Sequence, residues 1–162
     1  AIQKDTGGFT ELVPLSFVHT DSPLFLNNPN SVRPGPTDHE VDLMHSVSRI
    51  MLNGFIDNIQ VSWTKLGAER ARNMLSLGVN DLGGTLMNES ISRSAGSKHG
   101  QEITAAELCE IIRSAGRIPV RRNTIYKTID IYKDHDPIDV IPLVERKSDP
   151  LNFLKMFPET AE

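Results

Sequence analysis

Three stretches with strand composition alternate with three stretches of helical period, and that order leaves few folds open to the chain. Phe9–Phe17 (FTELVPLSF), Asn58–Trp63 (NIQVSW) and Val79–Gly83 are the strand candidates, with Pro14 marking an irregular end to the first. Thr37-Asp38-His39-Glu40 is a capping box, in which Thr37 caps a helix and Glu40 reaches back to it. Val41, Met44, Val47, Ile50 and Met51 then recur at helical spacing as one apolar face, up to Gly54. Leu66-Gly67 leads into a second helix with Ala71, Met74, Leu75 and Leu77 on its buried side, stopped by Gly78. A second capping box, Thr104-Ala105-Ala106-Glu107, opens a third helix with Leu108, Ile111, Ile112 and Ala115 inward, closed by Gly116. Ala1–Asp5 reads as the end of a further helix, with Thr6-Gly7-Gly8 as its stop.

Strand–helix alternation predicts parallel strands joined by crossover helices. Three strands cannot close a barrel, and as an open sheet they would expose two edges. The predicted fold is therefore α/β, the last portion of a larger (β/α) barrel. Connections entering the second and third strands are short, whereas those leaving the first and third, Val18–Pro36 and the stretch after Gly83, are long and polar. Ligands of α/β barrels and open α/β sheets bind where strands end and helices begin, which is the side these long loops occupy.

The most distinctive of them is Asn80–Gln101, NDLGGTLMNESISRSAGSKHGQ. It opens on a short strand and a Gly-Gly-Thr turn, then carries polar groups with little apolar spacing. Adjacent glycines let a backbone approach a ligand closely, because no Cβ intervenes. The preceding strand and the interleaved Leu82, Leu86, Met87 and Ile91 distinguish the stretch from a disordered one. It reads as a site.

At the strand ends lie Ser16, His19, Gln60, Ser62, Trp63, Lys65, Asp81, Thr85, Asn88 and Glu89. His19 suits acid, base or hydrogen-bond chemistry near neutral pH, or equally a loop histidine bonded to backbone. Trp63 is a stacking surface for a planar ring or, more often at such a position, a core residue. Lys65 either neutralises a carboxylate or phosphate or is solvated. Asn88 and Glu89 suit hydrogen bonds to a polyol or heterocycle, or the capping of a helix. His99 and Gln101 close the loop. Asp134-His135-Asp136 has metal-ligand residue types, yet with Pro137 next to it a turn is the better reading. Cys109 sits among apolar residues of a helix, where packing is its expected role.

Composition removes other function classes. Charge balances through residue 128, and the formal net −4 lies in residues 129–162. That leaves no basic surface of the kind non-specific nucleic-acid binding needs. No run approaches the roughly 18 apolar residues of a membrane span, and no basic-then-apolar leader is visible. A cytoplasmic location is expected, or an organellar one in a eukaryote. With one cysteine, the chain can form neither an internal disulfide nor a cysteine-rich metal site of its own.

Four stretches carry a resemblance: GGFTELVPLSFVH (Gly7–His19), RPGPT (Arg33–Thr37), NIQVSWTKLG (Asn58–Gly67), and NDLGGTLMNESISRSAG (Asn80–Gly96) with HGQ (His99–Gln101). Together they resemble the radical S-adenosylmethionine enzymes that make the deazaflavin chromophore FO. The likeness is to the tyrosine-using half, 5-amino-6-(D-ribitylamino)uracil–L-tyrosine 4-hydroxyphenyl transferase, and to the C-terminal half of fused FO synthases. It spans residues 1–127, implying the last three βα units of a radical S-adenosylmethionine TIM-type barrel, with 128–162 as an acidic C-terminal extension. Leu151, Phe153, Leu154, Met156 and Phe157 of that extension suit a short docked helix.

The resemblance implies a 4Fe-4S cluster and S-adenosyl-L-methionine as cofactors, and L-tyrosine and 5-amino-6-(D-ribitylamino)uracil as substrates. A radical would take hydrogen from tyrosine, its Cα–Cβ bond would break, and the 4-hydroxybenzyl fragment would add to C5 of the uracil. The ring-closing FO synthase half, in cis or in trans, would finish the chromophore. The pocket would comprise His19, Gln60, Trp63, Lys65, Gly83, Gly84, Thr85, Asn88 and Glu89: glycines for close approach, Asn88 and Glu89 for ribityl or uracil hydrogen bonds, Lys65 for a carboxylate. Such enzymes hold the cluster with Cys-x3-Cys-x2-Cys near the first barrel strand, which this sequence lacks. The expectation is a chain whose N-terminal barrel half and cluster ligands lie upstream of Ala1. Two alternatives stay open: a related futalosine-pathway enzyme of menaquinone synthesis, and a non-catalytic barrel fragment that binds a ligand or supports a partner.

Overall fold

The computed structural model of the chain describes residues 1–87, 89–100 and 102–133. A short helix α1 (Ile2–Thr6) ends at Gly7 in a left-handed turn whose amide bonds the Gln3 carbonyl at 2.8 Å, as the Thr-Gly-Gly stop predicts. Strand β1 (Glu11–Leu12) follows, then α2 (Pro23–Asn27), α3 (Asp38–Leu52), β2 (Asn58–Ile59), α4 (Trp63–Leu66) and α5 (Ala68–Met74). The polar stretch holds β3 (Leu86–Met87) and α6 (Ile91–Ser94), and beyond it come β4 (Glu102–Ile103), α7 (Ala105–Ser114), β5 (Val120–Arg122) and β6 (Thr128–Ile131). No helix among the described residues is long and apolar enough to cross a membrane.

The three predicted strands pair in parallel, but over much shorter spans than their composition suggests. β1 pairs β2 with Glu11 opposite Asn58 and Leu12 opposite Ile59, and Gln60 forms an isolated parallel bridge with Asp81. Two side-chain effects trim the ladder. Pro14 offers no amide, so the first strand cannot extend through it. The Asn80 side chain takes the Ile59 amide at 2.9 Å, a bond that a longer third strand would have made through its backbone. Trp63 begins α4 rather than ending a strand.

Side chains alternate across these strands. Leu12, Ile59, Val61 and Leu82 face Val41, Ala71, Met74 and Leu75 of the helices, and Ile59, Val61, Ala71 and Met74 are fully buried. Helix α7 adds Leu108, Ile111 and Ile112 to this core, and Cys109 is buried on it. Glu11, Asn58, Gln60 and Asp81 occupy the opposite face of the sheet.

Both capping boxes form as predicted. The Thr37 hydroxyl accepts the Glu40 amide at 3.3 Å while the Glu40 carboxylate accepts the Thr37 amide at 2.8 Å, and Thr104 with Glu107 repeats the pattern. Several elements went unanticipated. Helix α2 interrupts the expected Val18–Pro36 loop, with Pro23 at its first position. β3 and β4 pair antiparallel and close the long polar loop on itself. β5 and β6 form an antiparallel hairpin with the Arg121–Asp130 ion pair across it. The predicted apolar face of α3 exists, but beyond Val41 it is not covered: Met44, Val47, Ile50 and Met51 are 50–75% exposed. Leu12, Leu43, Met44, Val47, Met51 and Leu52 line an open apolar groove there. The Asp134-His135-Asp136 cluster and the apolar residues 151–157 lie outside the described residues.

The Arg33 guanidinium, followed by the Thr37 amide and hydroxyl, holds the Glu40 carboxyl at about 2 against an ordinary 4.5. A lowered folded value stabilises above pH 4.5, and that contribution is lost as pH falls through about 2. Glu40→Gln is therefore expected to unfold at lower urea than the parent at pH 6, with the two midpoints converging as pH approaches 2. Urea titrations monitored by circular dichroism across that range check it.

Candidate functional site at the strand ends

Asp81, the last paired residue of the third strand position, sets the turn that follows it. Its Oδ1 accepts the Gly83 amide at 2.6 Å, and its Oδ2 accepts Nε of Arg122. Gly83 has φ +75°, a left-handed conformation that L side chains rarely adopt, and a Cβ there would stand 2.8 Å from Nε2 of Gln60. The space made by the missing side chain is thus filled by Gln60 of the neighbouring strand. Gly84 differs: nothing lies within 4 Å of where its Cβ would be, and both Gly84 and Thr85 are exposed. Trp63 is buried, and its indole Nε1 donates to the Gly84 carbonyl at 3.2 Å. Its core reading therefore holds, and its polar edge fixes the turn.

The rest of the polar stretch is tied to its own backbone and to the other loops. The Lys65 ammonium donates to the Ser92 hydroxyl at 2.5 Å, and Ser92 is buried. Glu89 accepts the Ile91 amide and the Ser92 amide, each at 3.0 Å, which is the helix-capping alternative foreseen for it. Burial pushes the Glu89 carboxyl up, but the Ser92 and Ile91 bonds and the Lys65 charge outweigh it and leave the group below its ordinary range. Asn88 and Gln101 lie outside the described residues.

The loops after all three strand positions converge here. Asp21 donates its amide to the Ala95 carbonyl at 2.9 Å, joining the first loop to the third. Between the second and third, Gly100 lies so close to Thr64 that a Cβ would sit 2.3 Å from the Thr64 carbonyl oxygen, and its φ of +83° also demands glycine. The His99 ring rests beside Gly67, in keeping with a loop-closing role. His19 stands at the edge of this assembly. Its Nδ1 accepts the Gly35 amide at 3.0 Å and its ring meets Phe25 edge-on at 4.9 Å, so the backbone-bonded alternative is the one that forms. With Nδ1 accepting, the neutral ring carries its proton on Nε2.

Sequence reasoning missed Ser92 as the partner of Lys65, and missed Arg122 and Tyr126 altogether. The Arg122 guanidinium lies 4.4 Å from the centre of the Tyr126 ring while bonding Asp81. A signal was present: the five residues Asn123–Lys127 separate two short β-compatible runs, Ile118–Arg122 and Thr128–Tyr132, as in a hairpin. Among the described residues no group of three His, Cys, Asp or Glu is placed to hold a metal ion. Burial raises the Cys109 thiol, which disfavours the thiolate that ligates metals.

A family model described as the CofH/MqnC C-terminal region matches residues 6–135. The chain belongs to the CofH/MqnC C-terminal family. Among the relatives of this CofH/MqnC region, an FO synthase of Nocardia farcinica is 52% identical over 143 residues, covering 88% of this chain and 16% of that protein. A 5-amino-6-(D-ribitylamino)uracil–L-tyrosine 4-hydroxyphenyl transferase of Methanopyrus kandleri is 49% identical over 131 residues, covering 81% of this chain and 35% of its own length. A similarly named transferase of Methanosarcina mazei is 51% identical over 129 residues, 78% of this chain and 34% of that one. The chain thus spans about a third of the transferases and about a sixth of the FO synthase. No solved structure matches it. Membership in the CofH/MqnC family implies a TIM-type barrel, with which the parallel α/β pairing agrees; the sheet of the described residues is not closed.

The two glycines of the turn should respond differently to alanine. Gly83→Ala is expected to cost about 1–2 kcal/mol through its left-handed backbone, and more through Gln60, whereas Gly84→Ala should stay within about 0.5 kcal/mol. Trp63→Phe, which loses the donor to Gly84 and leaves part of the buried indole's volume empty, should cost about 2–4 kcal/mol. Chemical denaturation of the three variants checks all of these.

Proposed function

We propose that the chain forms the last three βα units of a radical S-adenosylmethionine barrel, and that its strand-end loops wall the substrate pocket. The protein so completed would transfer the 4-hydroxybenzyl group of L-tyrosine to 5-amino-6-(D-ribitylamino)uracil. The observation that carries this reading is the convergence of three post-strand loops on the Asn80–Gln101 stretch, in a chain about half identical to proteins named for that transfer. Residues 1–127 are the barrel portion in this reading. Residues 128–162 are the acidic extension, which starts from the hairpin as Thr128–Ile131.

Within the proposed pocket, Gly84 and Thr85 present open backbone and a hydroxyl to a ligand, while Trp63, Lys65 and Glu89 hold that surface in place through their own hydrogen bonds and Gln60 packs against Gly83. His19 acts from the periphery by fixing the first loop at Gly35. Asn88 is proposed as the amide that meets the ribityl or uracil groups. Open space at Gly84 fits the approach of S-adenosylmethionine or substrate. A 4Fe-4S cluster does not fit the donors of this chain: it takes several thiolates, and the one cysteine is buried in α7. Its ligands would come from the remainder of the protein. Bound there, the cluster and S-adenosylmethionine would supply radical chemistry. This chain's share is to orient two substrates and keep water from them.

The open groove on α3 and the unpaired edge of β1 are where the remaining barrel units would dock, in cis or in trans. Parallel sheets are covered on both faces in α/β proteins, so an apolar helix face beside an unpaired parallel strand is an interior surface without its cover. Completion of the chromophore is assigned to a separate ring-closing half.

A chimera tests the reading: residues 6–135 replacing the matched region of the Methanopyrus kandleri transferase, purified with its cluster. Tyrosine-dependent conversion of 5-amino-6-(D-ribitylamino)uracil, within about tenfold of the parent rate, or about 1.4 kcal/mol, is the expected result. A folded chimera that ignores the uracil, or turns over a futalosine-pathway substrate instead, contradicts it. Val47→Asp should cost the isolated chain less than about 0.5 kcal/mol, since the residue is exposed there, but destabilise the chimera by more than about 2 kcal/mol through a charge buried at the seam. Urea unfolding of both checks this.

A further inference from the structure

The hairpin β5–β6 reaches the sheet face opposite the helices through Arg122, which bonds Asp81, and Tyr126, whose phenol meets Glu11, and its tip is built unusually. Tyr126 has φ +61°, a left-handed conformation rarely adopted by an aromatic residue. Such strain persists only where surrounding structure holds it, and it clusters at functional sites. Three things hold it here. The Asn123 side chain accepts the Ile125 amide at 3.0 Å and the Lys127 amide at 2.9 Å, fixing the turn. The Tyr126 ring lies 4.4 Å from the Arg122 guanidinium. Its phenol, pushed up first by burial and then by the Glu11 carboxylate, sits over β1. Arg122, so oriented, reaches Asp81, whose side chain is only 8% exposed.

Asp81 has one carboxylate oxygen for each neighbour: Oδ2 for Arg122, Oδ1 for the Gly83 amide. The hairpin is therefore joined through a single side chain to the Gly-Gly-Thr turn at the far end of the same strand position. We infer that Arg122, braced by Tyr126, is a positioning residue for the Gly83-Gly84-Thr85 turn and acts through Asp81. Without the guanidinium, the carboxylate can rotate to other partners and the Gly83 amide loses its fixed acceptor. A lysine keeps the charge but lacks the planar fork that sets the carboxylate's angle and lies flat on the tyrosine ring. Turn geometry thus depends on a residue 41 positions beyond Asp81.

Amide hydrogen exchange in the ¹⁵N-labelled 162-residue chain tests this without requiring turnover. Arg122→Met is expected to speed exchange at Gly83 at least about tenfold while the Val61 and Leu108 amides change less than about twofold, since only local opening is affected. Arg122→Lys should fall between the parent and Arg122→Met. Tyr126→Leu should resemble Arg122→Lys, and Tyr126→Phe, which keeps the ring but loses the phenol's contact with Glu11, should fall between the parent and Tyr126→Leu. If Gly83 exchange is unchanged in Arg122→Met and Arg122→Lys, or rises only in step with Val61 and Leu108, Arg122 is structural and the inference fails. Should Arg122→Met not fold, the Arg122→Lys and Tyr126→Leu comparison decides by the same criterion. The consequence for ligand binding rests on the proposed pocket: in an active chimera Arg122→Lys should raise KM for the uracil more than it lowers kcat. An inactive parent chimera would count against the pocket reading alone, because the exchange result stands without it.

Discussion

The backbone of Thr64 leaves no room for a side chain at residue 100. That contact, with a Cβ position only 2.3 Å from a carbonyl oxygen, makes the long polar loop turn back across the loop after β2. Much of the strand-end surface depends on the return. It brings Ser92 over Lys65 and Ala95 to Asp21, and it aligns β4 to close on β3. A single added methyl group at Gly100 would have to displace main chain rather than a flexible side chain. Core packing on the other side of the sheet, through Ile59, Val61, Ala71 and Met74, supplies the rigid base from which the loops spring.

Most charged and polar groups in the strand-end loops are already bonded within the protein. Glu89 caps its own short helix, Lys65 bonds a buried serine, Trp63 donates to a carbonyl and His19 accepts an amide. Leaving such groups unpaired on burial would cost about 1–3 kcal/mol each, so these bonds stabilise the loop whatever else the residues do. Among the described candidate residues, Gly84 and Thr85 are the ones left open to a ligand. In the proposed reading, recognition therefore relies on a preformed backbone surface at a turn, and the surrounding side chains keep that surface from moving. Preorganisation of this kind spares a ligand the entropy of ordering the loop.

Local chemistry was legible in the sequence, and its long-range use was not. Thr37 with Glu40 and Thr104 with Glu107 specify helix starts through bonds spanning three residues, and both form as read. The alternation of patterns likewise conveyed parallel pairing. Strand lengths were not legible, because Asn80 competes for the Ile59 amide through its side chain, a contact 21 residues apart that no periodicity reveals. The apolar stripe of α3 was visible, yet periodicity says that a face is apolar and not whether anything covers it. At the candidate site, residue types pointed to loops that converge in the fold while the partners escaped: Gly83 makes room for Gln60, and Arg122 joins Asp81 from a hairpin 41 residues away. The family resemblance, carried by the Asn80–Gly96 wording, agrees with the match over residues 6–135.

In the proposed reading, substrate lies against the open surface of the Gly83–Thr85 turn, at the ends of the parallel strands. A crystal structure of the active chimera with 5-amino-6-(D-ribitylamino)uracil tests this most directly. Density for the ligand is expected against Gly84 and Thr85, within hydrogen-bond distance of the turn, with the Lys65–Ser92 and Trp63–Gly84 bonds intact. Ligand bound elsewhere, with this turn facing only solvent, would contradict it.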